Sequence, residues 1–320
     1  MSRSKAMTRT LACAAVAGCA LGLAAAPGPA RAQAAYPSGT IELIVPFGAG
    51  GGTDTIARIF EVEFSKALGG RIVVRNVAGA SGSVGAAATA KARPDGYTIG
   101  YLPIGPASIQ PLLRPGTYGA QSWEYVCRTA DDPALLMVPT KSPINSVAEL
   151  LRKDALVYGS PGPGSVPHLA LAALVASAGV KATHIPYKGT AAAMNAMAGG
   201  EIEVFADVPS VVRSFEVKPV GVFAAARHPG FPNVPTLTES GHALEFSIWH
   251  GVFAPAGTPR AIVDKLVAAC RTAVNSSEFG ERLKAVGTTP AFLGAGEFEA
   301  FYRKALAANE KVLKSAGMIK

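Results

Sequence analysis

Apolar positions along this chain follow two periods, and the periods alternate. Residues 40–45 are short, apolar and β-rich, which predicts a strand. A glycine turn follows at 48–52. Ile56, Ile59, Phe60, Phe64 and Leu68 then recur at three- and four-residue spacing. That spacing predicts an amphipathic helix, with Thr53 as its cap and Gly69-Gly70 as its stop. Residues 71–76 read as a second strand, 78–82 as a glycine-rich loop, and the alanine-rich stretch to about 92 as a second helix. Pro94-Asp95-Gly96 makes a turn before a third strand at 97–102. The middle repeats this logic. Strands are expected at 134–138, 156–158, 184–187, 202–205 and 220–224, and a helix through Leu169, Leu171, Leu174 and Val175. Thr258-Pro259 reads as a cap and first helical residue, followed by an apolar face of Ile262, Val263, Leu266, Cys270 and Val274. A last helix is expected over about 297–314. Strands alternating with helices predict an α/β fold.

The N-terminus follows different rules. Arg3, Lys5 and Arg9 precede an alanine-rich apolar run over 11–26, broken at Pro27. Small-x-small sites end at Ala32 and Ala34. This order is that of a secretory signal peptide over 1–34, which places the mature protein in the periplasm. Val16-Ala17-Gly18-Cys19 is like a lipoprotein box, but the apolar run continues past Cys19, so a lipid anchor is not expected. No later stretch reaches the roughly 18 apolar residues of a membrane span.

Removing the leader changes the charge picture. Its four basic residues, with no acid, account for half of the net charge of +8. What remains is mildly basic, without a Lys/Arg run, so nucleic acid is not an expected partner. Of four cysteines, Cys13 and Cys19 leave with the leader. Cys127 and Cys270 each fit an apolar pattern and are expected as two buried thiols. There is no CxxC and no Cys/His cluster, so neither a metal site nor a cofactor is expected.

Three loops share one design: a strand end, glycines and hydroxyls, then a helix start. They are 48–54, 78–83 and 160–168. A helix N-terminus offers unpaired N–H groups and partial positive charge, and glycines let a ligand approach the backbone, so such loops hold anions without Arg or Lys. The first loop lacks the third glycine of GxGxxG, and no GxxxxGK[ST] occurs, which argues against a nucleotide. No GxSxG frames a serine. His168 lies near Ser160 and Ser165, on a first helical turn where it would bond the loop or a ligand.

The run Ile44-Val45-Pro46-Phe47-Gly48-Ala49-Gly50-Gly51-Gly52-Thr53-Asp54 resembles the first ligand loop of the tripartite tricarboxylate transporter solute receptors, also called Bug receptors. Arg93-Pro94-Asp95-Gly96-Tyr97-Thr98, the 158–165 loop, Pro186-Tyr187-Lys188-Gly189, Phe205-Ala206-Asp207-Val208-Pro209-Ser210, Pro232-Asn233-Val234-Pro235-Thr236, and Trp249 with 254–259 continue the resemblance in order. It implies a two-lobed periplasmic-binding-protein fold of type II with two hinge crossings. Lobe 1 would be 36–133 plus 255–320, and lobe 2 would be 134–254. It implies a monomeric, non-enzymatic receptor that binds a small carboxylate and delivers it to membrane transporter subunits. An exported enzyme on the same fold and a sensor-kinase receptor are the alternatives.

Carried over by motif, the cleft would receive Phe47, Ala49, Thr53 and Asp54, then Ser81 and Gly82, from lobe 1. Ser160, Gly164, Ser165, His168 and Asp207 would come from lobe 2. Asp54 is expected to accept N–H bonds and stiffen its loop; Asp207 would hold a water or meet a ligand donor. Two departures bear on the ligand. Leu102-Pro103-Ile104 stands where a small polar loop is usual, and His250 follows Trp249 where an aromatic is usual. If Leu102 and Ile104 face the cleft with Phe47, they favour a mono- or dicarboxylate with a hydrophobic body over citrate; if they face the sheet core, the preference has no basis.

Overall fold

Ile41, Leu43, Ile44 and Val45 are fully buried, and around them the first sheet is built. The computed structural model describes residues 36–315 and 318–320. The expected leader, with Cys13, Cys19 and its expected cleavage sites, lies outside the described residues. β1 (Ile41–Val45), α1 (Gly52–Leu68), β2 (Ile72–Asn76), α2 (Ser83–Ala90) and β3 (Thr98–Pro103) form two successive β-loop-α units. β1 pairs in parallel with β2 and β3, as such crossovers require. A short α3 (Gln110–Leu113) leads to the eleven-residue β4 (Trp123–Pro133).

The chain then enters a second set of elements: β5 (Leu135–Pro139), α4 (Val147–Leu151), β6 (Ala155–Ser160), α5 (Val166–Ala178), β7 (Lys181–Pro186), α6 (Thr190–Ala198), β8 (Phe205–Asp207), α7 (Ser210–Ser214) and β9 (Val217–Val222). β5 pairs with β8 and β9, and β6 with β7. A bridge from Tyr158 to Val204 joins the two groups. The chain returns through β10 (Ser247–Pro255), α8 (Arg260–Val274), α9 (Ser277–Ala285), β11 (Pro290–Leu293) and α10 (Ala295–Ser315). β10 runs antiparallel between β3 and β4, giving a six-stranded sheet of order β11-β4-β10-β3-β1-β2. The outward and return crossings touch. Ala134 donates its N–H to Phe246 and accepts from Phe223, and Phe246 donates to Phe223.

Burial explains the first helix. α1 turns Ile56, Phe60 and Phe64 fully inward, worth roughly 1.5–3 kcal/mol per side chain. It ends at Gly69, whose φ of 68° is the left-handed cap that glycine adopts without strain. Behind β10, Trp249, Phe253, Phe298 and Tyr302 form an aromatic cluster. Gly251 permits it, because a Cβ there would lie 2.2 Å from the Phe298 ring.

Three sequence expectations change. Gly51, not Thr53, caps α1, so Thr53 sits inside the first turn. α8 begins at Arg260, one residue late, because Thr258 spends its hydroxyl on the Pro255 carbonyl. Cys127 and Cys270 are joined in a disulfide between β4 and α8, with Cα atoms 6.6 Å apart, and are not free thiols. Both are fully buried, so their apolar surroundings were read correctly and their bond was not. Among the described residues no helix is long and apolar enough to cross a membrane.

Candidate functional site

Three helix N-termini meet at one small cavity. Gly51, Gly52 and Thr53 line it from the start of α1, Ser165, Val166 and Pro167 from the start of α5, and Thr190 from the start of α6. Asp207 from the end of β8 joins them. The walls are apolar: Phe47, Pro103, Ile104, Pro106, Pro161 and Ile248. None of the lining residues is Lys or Arg. An anion here would be held by first-turn N–H groups and aligned helix dipoles. The cavity measures about 30 Å³, room for about two waters. A larger ligand therefore needs the walls to part. A groove of about 620 Å³ between Lys141, Met194 and Arg213 is roomier, but none of the three glycine loops reaches it.

Of the twelve residues expected at the cleft, the structure brings five to the cavity wall: Phe47, Thr53, Ile104, Ser165 and Asp207. Leu102 beside Ile104 turns into the core, so one of the two apolar side chains faces the cavity. Ala49 is exposed on the loop outside the lining, and Gly51 and Gly52 take its place. Thr190 and Ile248 were missed. Thr190 follows directly on the Pro186–Gly189 run, so position alone pointed to it; nothing in the sequence marked Ile248.

The other expected residues support the walls. Asp54 accepts from the Gly50 N–H at 2.9 Å, Arg58 Nε at 2.9 Å and Asn76 Nδ2 at 2.8 Å. Burial works to raise its pKa, but these bonds together outweigh it and hold the carboxyl below the ordinary range. Asp54 thus ties the first loop to α1 and β2. Gly82 lets Phe47 and Pro106 close over it, since a Cβ would lie 2.4 Å from Pro106 Cγ.

Ser160 turns away from the cavity. Its hydroxyl lies 2.7 Å from His184 Nε2, donates to the Gly162 carbonyl and accepts from the Gly162 N–H, both at 3.1 Å. A serine beside an imidazole invites an enzymatic reading, but Ser160 is fully buried and lines no part of the cavity. His184 stacks on Tyr158 and packs against His168, and those two rings also touch each other. Burial, then the neighbouring His168, push its pKa down to about 4. His168 accepts from the Gly164 N–H through Nδ1 at 3.1 Å, so it bonds the loop. The group braces the loop from behind.

That loop reaches across to the first set of elements. The Pro163 carbonyl accepts from Ser81 Oγ and from Gln110 Nε2, both at 2.9 Å. Gly162 and Gly164 make the approach possible at φ 125° and 73°. A Cβ on Gly162 would lie 2.4 Å from Ser81 Oγ, and one on Gly164 would lie 2.2 Å from Leu113. Ser165 caps α5, accepting from the His168 N–H at 3.3 Å and donating to the Gly162 carbonyl at 2.7 Å. Ser165→Ala is expected to lower stability by about 1 kcal/mol through the lost cap. Urea denaturation measures it, and an unchanged midpoint would remove the cap from the account.

Asp207 differs from Asp54. It is buried, and accepts from Thr190 Oγ1 at 2.5 Å and from the Val208 N–H at 2.8 Å. Burial pushes its pKa up to about 6, against the smaller opposing pull of those two bonds.

Comparison with known proteins now decides the family. The model of the tripartite tricarboxylate transporter family receptor matches residues 56–318. This chain belongs to that family. The periplasmic binding protein BugD superposes with a TM-score of 0.84 at 32% identity, covering 89% of this chain and 100% of that one. A R. palustris protein solved with adipate superposes at 0.81 and 32%, covering 88% and 98%. MatC from Rhodopseudomonas palustris, solved with malate, gives 0.79 and 29%, covering 87% and 100%. The fold of this family receptor is the two-lobed periplasmic-binding-protein fold, and its family is one of solute-binding receptors.

Proposed function

We propose that this family receptor binds a small mono- or dicarboxylate with a hydrophobic body and delivers it to the membrane subunits of a tripartite tricarboxylate-type transporter. It does so in the periplasm, as a monomer, after loss of the leader. The observation that carries the reading is the meeting of three helix N-termini at one cavity without a cationic side chain. Backbone amides and the hydroxyl of Thr53 take the carboxylate. Phe47, Ile104 and Ile248 take the carbon body, which gains about 25 cal/mol for each Å² of apolar surface dried. Citrate gains little from such walls. The lobes would be 36–133 with 247–320, and 134–246; the boundary expected at 254 moves to 246 because β10 lies inside the six-stranded sheet. They would swing about the paired crossings at Ala134 and Phe246, parting the cavity walls to admit the ligand. The malate and adipate held by two structural relatives support a small dicarboxylate, and of the two adipate has the hydrocarbon body.

A thermal-shift screen of the mature protein with adipate, malate, benzoate and citrate tests the reading. A true ligand at about 100-fold its Kd adds about 2.7 kcal/mol, a clear rise in melting temperature. Stabilisation by citrate alone would overturn the preference for a hydrophobic body, and conversion of a bound acid to product would overturn the receptor.

A further inference from the structure

Beneath the first turn of α1, in the middle of the six-stranded sheet, β10 carries a histidine. His250 is fully buried between β3 and β4. The Tyr101 ring stacks on it, centroids 5.6 Å apart and planes 21° apart. Tyr101 is itself held by Thr129 at 2.7 Å, and Thr129 reaches the His250 carbonyl at 3.3 Å. The stack fixes the plane of the ring. Its Nε2 lies 3.3 Å from Thr53 Oγ1, and its Nδ1 is buried with no partner.

We propose that His250 is a positioning residue that directs the Thr53 hydroxyl proton into the cavity, making Thr53 a hydrogen-bond donor to the ligand. The inference rests on the cavity being the carboxylate site. A neutral imidazole carries one N–H, and burial, which pushes this ring down to about 3, keeps it neutral at physiological pH. A proton on Nδ1 would be a buried donor with no acceptor, which proteins seldom tolerate. On Nε2 it meets Thr53 Oγ1. A threonine hydroxyl has one proton and can accept as well as donate. Once Thr53 accepts from His250, its own proton must point elsewhere. Thr53 has no other side-chain hydrogen bond among the described residues, is only partly buried, and lines the cavity. The proton is left for the ligand. The group that meets this proton must offer a lone pair, as a carboxylate oxygen does; an ammonium has none and could use only the one lone pair that His250 leaves free on Thr53. A phenylalanine at 250 would keep the stack on Tyr101 and lose this direction.

The tautomer is tested without ligand, by the ¹⁵N spectrum of histidine-labelled mature protein. The His250 signals, assigned by their loss in His250→Phe or by through-bond correlation, should show a protonated Nε2 and a bare Nδ1. A proton on Nδ1 overturns the inference. Its consequence is tested by titrating adipate and malate into wild type, Thr53→Val, His250→Phe and the double variant. Each single change should weaken binding about tenfold, the worth of one charge-assisted hydrogen bond. The double variant should bind no more weakly than Thr53→Val. Independent, multiplying losses would overturn the proposed coupling. Failure of wild type to bind either acid would count against the carboxylate reading, and the tautomer would still decide the proton's direction.

Discussion

Adipate affinity should fall by up to about tenfold for each pH unit from 6 to 8, and Asp207→Asn should abolish that dependence. Asp207 lies in the cavity wall, with its pKa raised to about 6 by burial. Below that pH it is a neutral acid and tolerates an anion beside it. Above it, a second negative charge faces the ligand, and binding a carboxylate requires either repulsion or proton uptake. The sign follows from linkage. The ligand raises the Asp207 pKa further, so the complex holds more protons than its parts and binds more tightly where protons are plentiful. In the free protein the folded state already holds more protons than the unfolded chain between the ordinary carboxyl value of 3.8 and about 6. Stability from this group should therefore fall as pH rises through that window. Calorimetry across the range in buffers of different ionisation enthalpy reports both affinity and proton uptake. Affinity that is flat, or that improves towards pH 8, would overturn the opposition between an ionised Asp207 and the ligand's charge.

Replacing both cysteines, as Cys127→Ala with Cys270→Ala, should cost about 2–5 kcal/mol of stability and leave adipate affinity unchanged. The bond spans 143 residues of sequence, so its loss frees a long stretch of unfolded chain. It clamps α8 to β4, and neither cysteine lines the cavity. Denaturant curves of the variant and of wild type in reductant should coincide at the lower midpoint. A midpoint equal to that of the oxidised wild type would mean that the bond contributes nothing to the fold.

The strand-helix alternation of the first sixty described residues was most legible where one face is buried and a glycine stops the element, as Phe60, Phe64 and Gly69 do in α1. The strands β4 and β10 were read only as crossings. Arg128, Asp131 and Asp132 break the alternation of β4; Asp131 pairs with Arg128 on the same strand, while Arg128 and Asp132 also find partners far along the chain. Arg128 donates to the Ala291 carbonyl, and Asp132 accepts from the Thr289 N–H. At the site, Phe47, Thr53, Ser165 and Asp207 were found by motif and reach the cavity. Motif alone could not say which way Ser160 turns, because that depends on His184 two elements later. The cysteines show the same limit: an apolar position suits a thiol and a disulfide equally.

The doubly bonded carbonyl of Pro163 bears on speed. Ser81 and Gln110 hold the loop with the protein's own side chains, so the walls are fastened before any solute arrives. On the proposed opening, a solute is captured by molecules in which both bonds are momentarily broken. The association rate is then the intrinsic encounter rate multiplied by that open fraction, and apparent affinity is taxed by the same factor. At about 1 kcal/mol for each neutral bond, each changes the open fraction roughly fivefold. The receptor gives up haste in capture, and the same two bonds hold back its cargo's escape once the walls have closed.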